Sequence, residues 1–167
     1  MDKKFKYRSQ NKSWQYYQKK YFKQKIQIKK NSLIIIDETL NLLVKNNWLI
    51  TTNLKNNLNF KINKFLKKYK ISSIYYKPHP TSKIGSYLIN NLNFKKKIIN
   101  LDKKYPIEFF LNEFDYCIFS ISSALWFSSS VKFFSLNNLL EFKKTSYKRK
   151  YFNLFKKNLG NNFYKNL

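Results

Sequence analysis

A chain of 167 residues with 34 Lys and Arg against 8 Asp and Glu carries a formal net charge of +26, a field that favours phosphates, nucleotides, nucleic acid or an anionic membrane face without choosing among them. Hydrophobic residues at 43% and aromatics at 19% supply enough apolar surface for one packed domain, which excludes disorder along the whole length. No apolar stretch reaches the roughly 18 residues of a spanning helix, and the basic amino-terminus lacks the apolar core of a secretory signal. A cytoplasmic protein is expected, at most peripheral at the inner membrane face. Lys, Asn, Ile, Phe and Tyr dominate as in strongly AT-biased coding, so part of the lysine excess reads as drift tolerated on a solvated surface.

Residues 1–31 interleave lysines with Tyr, Phe and Trp without a steady helical period, and form a basic aromatic N-terminal extension. Packing of its aromatics on the domain is the ordinary reading; a nucleic-acid arm, with lysines on phosphates and rings on bases, is the other. From Ser32 short apolar, β-rich runs alternate with longer amphipathic stretches, the pattern of repeated βαβ units, and residues 32–141 read as one α/β domain. "SLIIID", Ser32 to Asp37, predicts a fully buried strand. "LKNNLNFKINKFLKKYK", Leu54 to Lys70, predicts a helix with Leu58, Ile62, Phe65 and Leu66 on one stripe. A strand over Ser73 to Lys77 ends at Pro78. "IGSYLINNL" predicts a helix, "KKIINL" a short strand, and "PIEFFLNEF" a helix with Pro106 in its first turn. "DYCIFS", Asp115 to Ser120, is another buried strand, followed by "SSALWFSSS", where Ser122 or Ser123 would cap a helix starting near Ala124. "VKFFSL" is the last strand, ahead of a basic, helical tail within 142–167. The expected architecture is a Rossmann-like, three-layer parallel sheet.

In such sheets ligands gather beyond the carboxyl ends of the strands, and the two segments richest in chemistry fall there. "YYKPHP" holds the only histidine, His79, between Pro78 and Pro80, which restrain the backbone on either side. An imidazole so placed can donate a hydrogen bond to a phosphate or act as an acid, although a lone histidine is more often structural than catalytic. Ser122 and Ser123 offer hydroxyls and N–H groups at a predicted helix start, an arrangement that also occurs without any ligand. Glu108 could accept from a sugar diol or simply favour a helix N-terminus. The single Cys117 cannot form an internal disulfide and, lying in the apolar run "YCIF", reads as a buried thiol; no Cys/His set suggests a metal.

Taken in order, "YYKPHP", "YPIEFFL" and "FDYCIFSISSAL" resemble the C-terminal nucleotide-binding half of bacterial sialyltransferases and polysialyltransferases, glycosyltransferases of the two-domain GT-B fold. The resemblance implies a CMP-sugar donor, a glycan acceptor and no metal or other cofactor. It implies that His79 assists departure of CMP, that Glu108 holds ribose hydroxyls, that Ser122 and Ser123 bind phosphate oxygens, and that Lys77 and Pro80 line the donor site. The acidic general-base motif of that family is matched only partly by Asp37-Glu38-Thr39, which lacks its glycine. The chain would then be a fragment whose acceptor domain on a separate chain supplies the base, an inactive remnant, or a compact enzyme with Asp37 as base, the first two being the favoured readings. The competing expectation is a basic RNA-binding or ribosomal protein, and the two differ in whether cytidine nucleotides or RNA stabilise the fold.

Overall fold

Ile34, Tyr75, Cys117 and Phe133 stand side by side across four parallel strands, and each is nearly or completely buried. They belong to the central part of a six-stranded sheet in the computed structural model, which describes residues 28–78, 85–103, 106–122, 130–159 and 165–166. The strands are β1 (Ser32–Ile36), β2 (Ser73–Tyr76), β3 (Ile98–Asn100), β4 (Tyr116–Phe119), β5 (Lys132–Ser135) and β6 (Lys165–Asn166), in the order β3-β2-β1-β4-β5-β6. Every neighbouring pair is parallel. Such strands are covered on both faces, which is why "LIII", "SIYY" and "YCIF" read as continuous apolar or aromatic runs without alternation. The Rossmann-like α/β architecture expected from the sequence is the one present.

The covering helices follow from local pattern. Helix α1 (Glu38–Lys45) leaves directly from β1 and buries Leu40 and Leu43; it is too short for its period to stand out in the sequence. Helix α2 (Leu54–Lys68) buries Leu54, Leu58, Ile62 and Phe65, close to the expected stripe, with Leu66 only partly covered. Phe65 meets Phe134 at 4.8 Å and Tyr116 at 5.9 Å, both edge-on, and Tyr69 lies tilted against the same two rings. This cluster fastens α2 over β4 and β5. On the other face Tyr75 packs edge-on against Phe114 at 5.2 Å. A short helix α3 (Tyr87–Asn91) begins at Ser86, whose hydroxyl accepts from the N–H of Ile89 at 3.0 Å.

The segment after Pro106 departs from expectation. It forms two successive 3₁₀ turns, Ile107–Phe109 and Leu111–Glu113, and Pro106 itself is extended (φ −61, ψ 131). The buried residues Ile107, Phe110, Leu111 and Phe114 fall at i, i+3, i+4 and i+7, a stripe that an α-helix and two successive 3₁₀ turns can both bury over so short a span.

Helix α4 (Thr145–Leu159) packs on the domain through Tyr151, which is 1% exposed and donates its hydroxyl to Asn137 Oδ1 at 2.6 Å. Phe142, just before it, lies tilted against Tyr151 and pairs with Leu49 in an antiparallel bridge. The connection leaving α1 and the one entering α4 are thereby joined. No helix among the described residues is long and apolar enough to cross a membrane.

Cys117 sits in the middle of β4 with no exposure, and burial pushes its thiol far above the ordinary thiol range. The thiolate is the reactive form, so native protein should resist a thiol reagent such as DTNB at neutral pH and react only as it unfolds in urea. Rapid labelling in buffer would show that β4 opens locally.

Candidate functional site

Because the order runs outward from β1 through β2 and β3 on one side and from β4 through β5 and β6 on the other, the connections diverge between β1 and β4. Beyond the carboxyl ends of those two strands lies the switch point, where ligands of open parallel sheets bind. The first residue past β1 is Asp37 and the first past β4 is Ser120, and both are completely buried. Ser120 donates its N–H to the carbonyl of Ile36 at 3.2 Å, so the two ends are locked side by side. Its hydroxyl has no hydrogen-bond partner among the described residues.

The surrounding loops are tied by side chains from the first turns of α1. Asp37 Oδ2 accepts from the N–H of Leu88, in the first turn of α3, at 2.8 Å. Thr39 donates its hydroxyl to the carbonyl of Ile121 at 3.2 Å, joining α1 to the loop after β4. Asn41 donates through Nδ2 to the carbonyl of Gly85 at 2.9 Å. Gly85 has φ +77, and an added Cβ would meet only Asn90 Nδ2 at 3.7 Å. Backbone conformation, and not space, therefore asks for glycine there.

Lys77, the first residue past β2, is 5% exposed. Its Nζ donates to the carbonyls of Pro78 at 2.7 Å and Lys103 at 3.1 Å, which ties the segment after β2 to the one after β3. Its ammonium is a clamp between loops. Ser122 is half-buried in the loop beyond β4, next to the Ile121 carbonyl that Thr39 holds. Glu108 is half-buried in the first 3₁₀ turn, and no hydrogen bond joins it to Asp37, Lys77 or Ser122. His79, Pro80 and Ser123 lie outside the described residues. Among the described residues no three His, Cys, Asp or Glu side chains gather as a metal ligand set.

The structure thus brings Asp37, Ser122 and Lys77 to the same end of the sheet, each just past a different strand. Sequence reasoning missed Ser120, Thr39, Asn41 and Gly85 as parts of this region. Ser120 had a signal: it is the first polar residue after the apolar run of β4. Thr39 and Asn41 had none, because their partners are 82 and 44 residues away.

The class these features define is an open, parallel, Rossmann-like α/β protein with its polar loops gathered at the switch point. No protein-family model matches the chain, and no curated protein matches it. Among solved structures it is similar to an isochorismatase-like hydrolase from Alkaliphilus metalliredigens, at 12% identity and a TM-score of 0.42, over 81% of this chain and 90% of that one. So loose a likeness transfers no chemistry.

These findings correct the resemblance drawn from the ordered motifs. No family model joins the chain to sialyltransferases or polysialyltransferases, and the solved structure it is similar to is an isochorismatase-like hydrolase. CMP-sugar transfer to a glycan and the glycosyltransferase class are therefore set aside. The RNA-binding alternative gains no support from the comparisons and is set aside with them. The physical reason is that each motif is short and falls where any parallel sheet carries prolines and serines, at strand ends and loop starts, so their order reports the fold more than a family.

Proposed function

We propose that this protein binds a small molecule bearing a phosphate or carboxylate over the carboxyl ends of β1 and β4, with Ser120 and Ser122 as its polar contacts. The observation that carries the reading is the Ser120 hydroxyl, fully buried at the switch point with no partner among the described residues. An unmatched buried hydroxyl costs about 1–3 kcal/mol and persists where a ligand or water completes it. The net charge of +26 favours an anion over a neutral or cationic ligand. Asp37 opposes that preference least when its carboxylate is held by a main-chain donor, as it is by Leu88. The three ties of α1 to its neighbours hold the loops in place before the ligand arrives, which lowers the ordering cost of binding.

Thermal-shift measurements with inorganic phosphate, nucleoside monophosphates and small carboxylates test this reading. At least one class should raise the Tm, and Ser120→Ala should remove that rise. Without ligand, Ser120→Ala should be neutral or stabilising by up to about 1 kcal/mol, because it deletes an unmatched buried hydroxyl. Equal protection of Ser120→Ala and the native chain, or no response to any anion, would sink the proposal.

A further inference from the structure

Helix α2 carries a second, separate feature. Its sequence, LKNNLNFKINKFLKK, holds five lysines and no acidic residue. Advancing about 100° per residue, Phe60, Lys64 and Lys67 fall within roughly 65° of the direction opposite the buried stripe of Leu54, Leu58, Ile62 and Phe65. They therefore form the outermost line of the helix. Phe60 is 67% exposed, the most exposed of the large hydrophobic side chains described, while Lys61, Lys64, Lys67 and Lys68 are all exposed around it.

Two ordinary explanations cover only part of this. Lysines in the last turn are favoured by the helix dipole, which accounts for Lys67 and Lys68 but not for Lys55, Lys61 or Lys64. Solubility accounts for lysines in general but not for a phenylalanine held outward in their midst. A helix lying flat on the domain, with an apolar ring projecting between cationic side chains, has the chemistry of a face that rests on an anionic bilayer. The ring reaches the acyl boundary while the ammonium groups meet lipid phosphates and carboxylates.

We infer that the outer face of α2 docks the protein on anionic lipid, with Lys64 and Lys67 as its electrostatic contacts and Phe60 as the inserted side chain. Anionic lipid is favoured over nucleic acid because among the described residues the face offers one ring, whereas single strands are held by several rings stacking successive bases. Docking here leaves the carboxyl ends of β1 and β4 untouched, so it is independent of the ligand site proposed above.

Cosedimentation of the full chain with vesicles supplies the test. Binding is expected to vesicles with about 30 mol% phosphatidylserine and to be much weaker on pure phosphatidylcholine. Converting Lys64 and Lys67 together to glutamine should lower the partition coefficient roughly 30-fold. Phe60→Ala should lower it several-fold, including at salt concentrations that screen the lysines. The control changes Lys148 and Arg149 to glutamine, two exposed cations on α4, removing the same charge from a different helix. It should have an effect below about threefold. All substituted positions are exposed, so unchanged thermal unfolding should accompany each variant.

Equal losses in the two double variants would show that net charge alone drives binding and would overturn the assignment of the face. Unchanged binding of Phe60→Ala would overturn insertion. Absence of vesicle binding would overturn the whole inference, whether the face then proved to bind single-stranded RNA or, through a shift of oligomeric state in Phe60→Ala, a second copy of the chain.

Discussion

Phe65→Ala is expected to destabilise the protein by about 3–5 kcal/mol, the cost of removing a buried aromatic ring and leaving the space behind it. Phe65 is 6% exposed on α2 and is the shared contact of Tyr69 at 4.7 Å, Phe134 at 4.8 Å and Tyr116 at 5.9 Å. Rings in such a cluster gain edge-on contacts beyond their area of burial, and Tyr116 and Phe134 cannot close the gap without leaving their strands. Native domains are stable by roughly 5–15 kcal/mol in total, so the loss removes a large share of the margin. Urea unfolding followed by far-UV circular dichroism measures it as a fall in midpoint at unchanged slope. A loss below about 1 kcal/mol would show that α2 is not held over β4 and β5 by this cluster.

The second large effect is expected at Asp37, and the choice of substitution carries the information. Asp37→Ala leaves the N–H of Leu88 buried without its acceptor and should cost about 2–3 kcal/mol. Asp37→Asn keeps a carbonyl oxygen in the same position and should cost less than about 1 kcal/mol. That contrast separates a positioning role from a charge-dependent one. If the carboxylate orders the segment from Gly85 to Leu88 by hydrogen bonding, asparagine restores both stability and the anion response expected at Ser120. If the asparagine variant is as unstable as the alanine one, the negative charge itself is required, and the account of Asp37 as a tether for α3 fails. Equilibrium unfolding of the two variants side by side decides this, and the same samples serve for the anion titration.

Several elements were readable before the structure because their signals are local. "SLIII", "SIYY" and "YCIF" are strands buried on both faces, and burial on both faces demands an uninterrupted apolar or aromatic run. The stripe of α2 repeats at helical spacing over four turns, long enough to be unambiguous. Helix α1 was not readable, since eight residues directly after a strand give barely two turns of period. The 3₁₀ turns after Pro106 were misread because spacing of three is compatible with either helix over so short a span.

The candidate site divides the same way. By itself the sequence determined which polar residues close the apolar runs: Asp37, Lys77 and Ser120 as the last residues of the predicted strands, with Ser122 just beyond. What each of them does was decided by tertiary structure. The carbonyls of Pro78 and Lys103 hold the Lys77 ammonium, and Asp37 holds the first turn of α3. Strand order is the reason. Nothing local specifies that β1 pairs with β4 as well as β2, yet that pairing alone sets Ile36 beside Phe119 and lets Thr39 reach Ile121 across 82 residues. Apolar period is written residue by residue, whereas neighbours across a parallel sheet are chosen by the packing of the whole chain.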